Sequence, residues 1–77
     1  MKFVIKIDDL YYNGKTYDYK GEVYADKTSK KKAMRYNSYI TVCKVRHDLV
    51  VQCANVSSAQ IEEVEEWSNM IYIKHRK

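Results

Sequence analysis

Several groups in this 77-residue chain are of types that can do chemistry. His47-Asp48 has the makings of a base and its orienting carboxylate, Asp8-Asp9 of a Mg²⁺ site, and Cys43 with Cys53 of a thiol pair or two zinc ligands. Glu62, Glu63, Glu65 and Glu66 supply clustered carboxylates. Catalysis requires more than types: a nucleophile with its base, carboxylates facing each other across a cleft, or a complete ligand set. Neighbours such as His47 and Asp48 point apart in a tight turn, where polar residues normally sit. Asp8-Asp9 reads as a solvated strand end, and the four glutamates as the exposed face of a helix. Cys43 and Cys53 lack the C-x-x-C spacing, and His47 and His75 complete no familiar zinc pattern, so free, buried thiols are expected. The expectation is a protein without catalytic residues, metal or cofactor.

Two other groups point to binding. Lys27, Lys30, Lys31, Lys32 and Arg35 put five cations into nine residues, enough for an edge that contacts phosphates, although a solvated lysine face has the same composition. Eight tyrosines, Tyr11, Tyr12, Tyr17, Tyr19, Tyr24, Tyr36, Tyr39 and Tyr72, stand against a single Phe. A pure core uses more Phe and Leu, because each buried tyrosine hydroxyl needs a partner. Some of these rings belong at the rim of a small core; a contiguous exposed cluster marks a protein interface or a base-stacking platform. Tyr11, Tyr12, Tyr17 and Tyr19 are the first candidates, and strand alternation puts Tyr17 and Tyr19 on one face. Glu62, Glu63 and Glu66 form a second candidate face.

The chain that positions these groups is short enough for one domain only, and such a domain buries roughly 60% of the surface its unfolded chain exposes. An apolar fraction of 45% argues against disorder, and 31% charge keeps the surface hydrated. No apolar run approaches the ~20 residues needed to cross a bilayer. Lysine also interrupts Met1-Lys2-Phe3-Val4-Ile5-Lys6 too early for a signal-peptide core. A cytoplasmic address is expected. The charge is uneven: residues 1–50 carry eleven Lys/Arg against six Asp/Glu, and residues 51–77 three against four, giving +5 and −1. That surplus favours acidic partners or phosphate backbones without reaching the density of a nucleic-acid-coating protein.

With no proline and only Gly14 and Gly21, regular elements must fill the chain. Phe3-Val4-Ile5-Lys6-Ile7 alternates as a half-buried strand does. Asn13-Gly14 predicts a type I′ turn leading to a second strand near Thr16 to Tyr24. Asp26 to Tyr36 predicts a helix with Ala33, Met34 and Tyr36 inward. Tyr39 to Arg46 and Leu49 to Val56, rich in β-branched residues, predict a second hairpin; its turn length decides whether Cys43 and Cys53 face each other. Ser57-Ser58-Ala59-Gln60 offers a capping box for an acidic helix with Ile61, Val64 and Trp67 (with Ser68) inward. Met70-Ile71-Tyr72-Ile73-Lys74 closes the order as a last strand, ahead of a basic tail. The predicted fold class is α+β, in the order β-β-α-β-β-α-β, with a mostly antiparallel sheet and two helices packed on one face.

Phe3-Val4-Ile5-Lys6-Ile7, Tyr12-Asn13-Gly14-Lys15 and Lys27-Thr28-Ser29-Lys30-Lys31-Lys32-Ala33 span residues 3–36. Together they resemble many short, uncharacterised proteins of bacteriophages of Gram-positive hosts. Such proteins include host-takeover factors and inhibitors of defence systems, anti-CRISPR proteins among them. The resemblance implies a phage or mobile-element protein that binds a host protein or nucleoprotein complex stoichiometrically in the host cytosol. Thr28-Ser29-Lys30-Lys31-Lys32-Ala33 is also similar to the helix start of double-stranded-RNA-binding domains, and the sheet-then-helix order to integrase arm-type DNA-binding domains. Those similarities imply DNA or RNA as the alternative partner. The first family, however, places a helix before its sheet, and the second ends after one helix. A homodimer across the tyrosine surface or a sheet edge is compatible with either reading. Lysines and tyrosines merged in one patch would favour nucleic acid; opposed patches would favour a protein.

Overall fold

The computed structural model describes residues 1–64. Strands β1 (Lys2–Ile7), β2 (Leu10–Tyr19) and β3 (Glu22–Thr28) are followed by a single 3-10 turn at Lys30–Lys32, helix α1 (Tyr39–Gln52) and strand β4 (Gln60–Val64). The four strands form one antiparallel sheet in the order β3-β2-β1-β4. The class is therefore α+β with a four-stranded antiparallel sheet and, among the described residues, one α-helix.

Alternation along the strands divides the apolar residues between two faces. Ile5, Ile7, Tyr12 and Ala25 face α1 and pack with Val42, Leu49, Cys53 and Val56. Val4, Tyr11, Ala33 and Val64 form a smaller cluster on the other face. Val4, Ile5, Ile7 and Val42 are fully buried, each worth about 1.5–3 kcal/mol of transfer free energy.

The Asn13-Gly14 pair makes a bulge instead of the predicted turn. Tyr12 pairs with Lys27 and Thr16 with Ala25, so residues 13–15 of β2 oppose Asp26 alone. The Asn13 side chain holds the bulge, donating to Asp26 Oδ2 at 2.7 Å and accepting from the Lys15 N–H at 2.9 Å. Gly14 lies at φ 95°, with Met34 against the place a side chain there would occupy. The turns fall elsewhere: Asp8-Asp9 joins β1 to β2, and Lys20-Gly21 joins β2 to β3. Both Lys20 and Gly21 take positive φ, 51° and 82°, as a type I′ turn demands. The bulge adds two residues, an even number, so the faces of β2 do not exchange across it.

The helix predicted over residues 26–36 is not formed. Lys27 and Thr28 complete β3, Ser29 makes no side-chain cap to the short turn, and Ala33 is extended at φ −63°, ψ 150°. The reason is a backbone vacancy. β1 and β2 pair only at Lys6–Tyr11 and Ile7–Leu10, then diverge. Residues 33–36 fill the gap: Met34 N–H donates to Tyr12 O at 3.0 Å, and Phe3 and Tyr36 exchange bonds of 2.9 Å. Groups that would otherwise be buried without partners are thereby satisfied. The predicted inward stripe is split accordingly, with Ala33 buried, Tyr36 half-buried and Met34 exposed.

The predicted second hairpin is also overturned: α1 covers most of it. Ser38 caps the helix, its hydroxyl oxygen accepting from the Thr41 N–H at 3.2 Å. Val42, Val45, Leu49 and Cys53 recur at spacings of three, four and four on the face packed against the sheet. Burial of that stripe overrides the β preference of Val42, Val45, Val50 and Val51. His47 and Asp48 are thus exposed helix residues, not a turn. Cys43 and Cys53 do not face each other across strands; both are free thiols, half-buried within α1 and buried at its C-cap respectively.

The acidic helix expected from Ser57 is, through Val64, strand β4. Ile61 pairs with Ile5 and Glu62 with Val4, beside Lys6. Glu65, Glu66, Trp67 and Ser68 of that predicted helix, the predicted strand Met70 to Lys74 and the basic tail lie outside the described residues. Beyond α1, Asn55 works as a one-residue strand on the edge of β3. Its side chain accepts from the Ala25 N–H at 2.9 Å and donates to Ala25 O at 3.0 Å, and Ala54 N–H donates to Val23 O at 2.8 Å. An edge that invites foreign strands is thereby occupied.

Candidate partner-binding surface

The four tyrosines singled out by sequence divide sharply. Tyr11 and Tyr12 are 9% and 7% exposed, whereas Tyr17 and Tyr19 are 50% and 55% exposed. Tyr12 sits in the main core and Tyr11 in the smaller cluster, so neither offers a free ring. Burial pushes both phenols above their ordinary range.

Tyr17 and Tyr19 project from the face opposite α1 and are joined by Tyr24 of β3. The Tyr17 and Tyr24 rings stack at 5.6 Å and 13°, and Tyr19 meets Tyr24 edge-on at 6.2 Å and 70°. Glu22 lies opposite Tyr19 and accepts a hydrogen bond from the Tyr24 hydroxyl at 3.2 Å, which raises the phenol. The Lys20 ammonium stands 5.2 Å from the Tyr19 ring centroid. Every residue from Gly14 to Glu22 is exposed, on both faces of the ribbon. The tip of the hairpin therefore lies beyond the core, whereas Val23 and Ala25 of β3 remain tied to Cys53, Ala54 and Asn55. Tyr24, Glu22 and Lys20 were missed because the turn was assigned to Asn13-Gly14; counting outward from Lys20-Gly21 pairs 19 with 22 and 17 with 24.

The basic run is dispersed. Lys27 is half-buried opposite Tyr12, on the α1 side of the sheet. Lys30 pairs with Glu62 Oε1 at 3.3 Å and stands 5.9 Å from the Tyr11 ring centroid. Arg35 folds back on the 3-10 turn, donating to the carbonyls of Lys30 at 3.1 Å and Ala33 at 2.9 Å. Lys31 and Lys32 remain exposed.

Of the second candidate face, Glu62 is structural. It accepts from the Tyr11 hydroxyl at 2.9 Å, and this bond first, with Lys30 next, holds its carboxyl below the ordinary range. Glu63 is exposed opposite Phe3, on the α1 side, so Glu62 and Glu63 do not share a face. Glu66 lies outside the described residues.

Lysines and tyrosines are neither merged nor opposed. Lys30 and the tyrosine trio occupy one face of the sheet at opposite ends of the β2–β3 hairpin, with Tyr24 about 13 Å along β3 from Thr28. The acidic residues Glu22, Asp26 and Glu62 share that face.

Other surface features are weaker. Ile40 and Val51, 81% and 66% exposed, stand about 16 Å apart along α1 with Lys44 and His47 between them, so they form no contiguous patch. A depression of about 250 Å³ is lined by Lys6, Asp8, Ser58, Ala59 and Gln60. Among the described residues no group of three or more His, Cys, Asp or Glu could hold a metal ion, and no helix is long and apolar enough to cross a membrane. Comparison of the chain with protein-family models, curated proteins and solved structures finds no match.

Proposed function

We propose that the chain is a non-catalytic binding protein that engages a protein partner through the free end of the β2–β3 hairpin. The observation that carries this reading is the tyrosine trio, exposed Tyr17 and Tyr19 with half-buried Tyr24 between them, on a ribbon with two lysines, Lys15 and Lys20, and two carboxylates, Asp18 and Glu22. Exposed aromatics in a neutral setting suit a protein interface, whereas a phosphate backbone calls for a surplus of cations. The resemblance to short phage proteins supports a finer version: a phage or mobile-element inhibitor that binds a host protein, in a defence complex of the anti-CRISPR kind, in the host cytosol. Pull-down from a Gram-positive host lysate should recover a stoichiometric partner that Tyr17→Ser with Tyr19→Ser loses. Recovery of no partner, together with no inhibition of a panel of defence nucleases, would remove this reading.

A second reading, binding of DNA or RNA, is favoured by the exposed Lys31 and Lys32 beside Lys30. It requires affinity that falls steeply with salt and weakens about equally for all sequences when the three lysines are replaced. No binding to duplex or single strands at low salt would exclude it.

A further inference from the structure

We infer that the tyrosine end of the hairpin receives a cationic side chain of the protein partner, an arginine in preference to a lysine. This rests on the protein-binding reading above and specifies its chemistry. Three rings and one carboxylate lie on the same side of the ribbon: Tyr17 and Tyr24 stacked and nearly parallel, Tyr19 at a steep angle to Tyr24, and Glu22 bonded to the Tyr24 hydroxyl. The negative face of an aromatic ring attracts cations, and a nearby carboxylate adds to that attraction. The chain itself supplies an example, since its own Lys20 ammonium sits over Tyr19. Lys20 belongs to the turn and is exposed, so an incoming cation can compete for its place.

Arginine suits the geometry better than lysine. Its flat guanidinium stacks on a ring while its N–H groups reach sideways to a carboxylate, whereas an ammonium is a compact, strongly hydrated point charge. An incoming guanidinium displaces the Lys20 ammonium from Tyr19, and Lys15 stands farther off at the bulge. On the trio's face of the hairpin the acidic members are Glu22 and, farther along, Asp26, which is engaged with Asn13. An acidic or phosphorylated segment would instead meet Glu22 and gain only the turn lysine.

The test uses the full chain with a short acetylated and amidated peptide carrying a pair of arginines, and matched peptides with lysine, citrulline or glutamate in their place. Ring resonances of Tyr17, Tyr19 and Tyr24 are followed by NMR, with buried Tyr11 and Tyr12 as internal references. The arginine peptide should shift the three rings of the trio and bind about tenfold more tightly than the citrulline peptide, a preference that Glu22→Gln and Tyr17→Leu each reduce several-fold. Both positions are exposed, so unchanged far-UV circular dichroism is expected for both variants. Equal binding of the citrulline or glutamate peptide overturns the inference but leaves the hairpin as a protein-binding surface. Shifts that depend on protein concentration without peptide overturn it in favour of a second copy of the chain. If no peptide shifts the trio and the double tyrosine variant still captures the partner, both the inference and the proposed surface fall.

Discussion

Tyr11 and Tyr17 stand six positions apart on one strand and on the same face of one sheet, yet they live in different environments. Tyr11 is enclosed by Val4, Ala33 and Val64, and its hydroxyl is committed to Glu62. Tyr17 has a stacked ring on one side and water on the other. Between them lies the Asn13–Lys15 bulge, beyond which no residue of β2 is buried. The same residue type is thus spent on stability at one end of β2 and left for recognition at the other. What separates the two roles is whether another segment of chain covers the ring.

The largest test of this contrast pairs Tyr12→Ala with Tyr17→Ala. Removing the ring from the main core should cost about 3–5 kcal/mol in urea unfolding, and removing the exposed one less than about 1 kcal/mol. Equal costs would mean that the hairpin end is part of the cooperative core.

Next in size are the devices that fix where the core stops. Asn55→Ala strips two hydrogen bonds from Ala25 and should destabilise by about 1–3 kcal/mol. Gly14→Ala forces a side chain to φ 95° and 3.3 Å from Met34 Cβ, for about 1–2 kcal/mol. The measurement for both is the unfolding midpoint.

Smaller again is Tyr11→Phe, which leaves Glu62 to Lys30 and should cost about 1 kcal/mol near neutral pH. Because the folded state holds the Glu62 carboxyl below its ordinary range, its contribution is fully present above the ordinary glutamate value of the unfolded chain. It is lost as the pH falls through the lowered value. Glu62→Gln should therefore flatten the acid limb of the stability profile, and an unchanged limb would show the Tyr11–Glu62–Lys30 contact to be inconsequential.

The smallest expected effect on stability, within about 0.5 kcal/mol, belongs to Tyr19→Ser at the hairpin tip, where the loss should appear in partner capture alone.

The sequence by itself determined β1, whose alternation survives in the fold. It also determined the shared face of Tyr17 and Tyr19, because a period of two depends on neighbours along one strand; the α+β class stands although the described helix lies where the residues predict a hairpin. Cys53 as a buried thiol was legible as well. The α1 stripe of Val42, Val45, Leu49 and Cys53 was present but masked by β-branched residues, whose strand preference is weaker than the burial of a helical face. Other choices were made only by contacts distant in sequence. Residues 33–36 are extended because β1 and β2 diverge and leave Phe3 and Tyr12 backbone groups to be filled. Gln60–Val64 is a strand because its partner β1 lies more than fifty residues away. Lys30 and Arg35 are withdrawn from the basic run by Glu62 and by local carbonyls. Local propensity is worth tenths of a kcal/mol per residue, while a satisfied backbone or a buried side chain is worth one or more, so tertiary structure decided which tyrosines were left to bind.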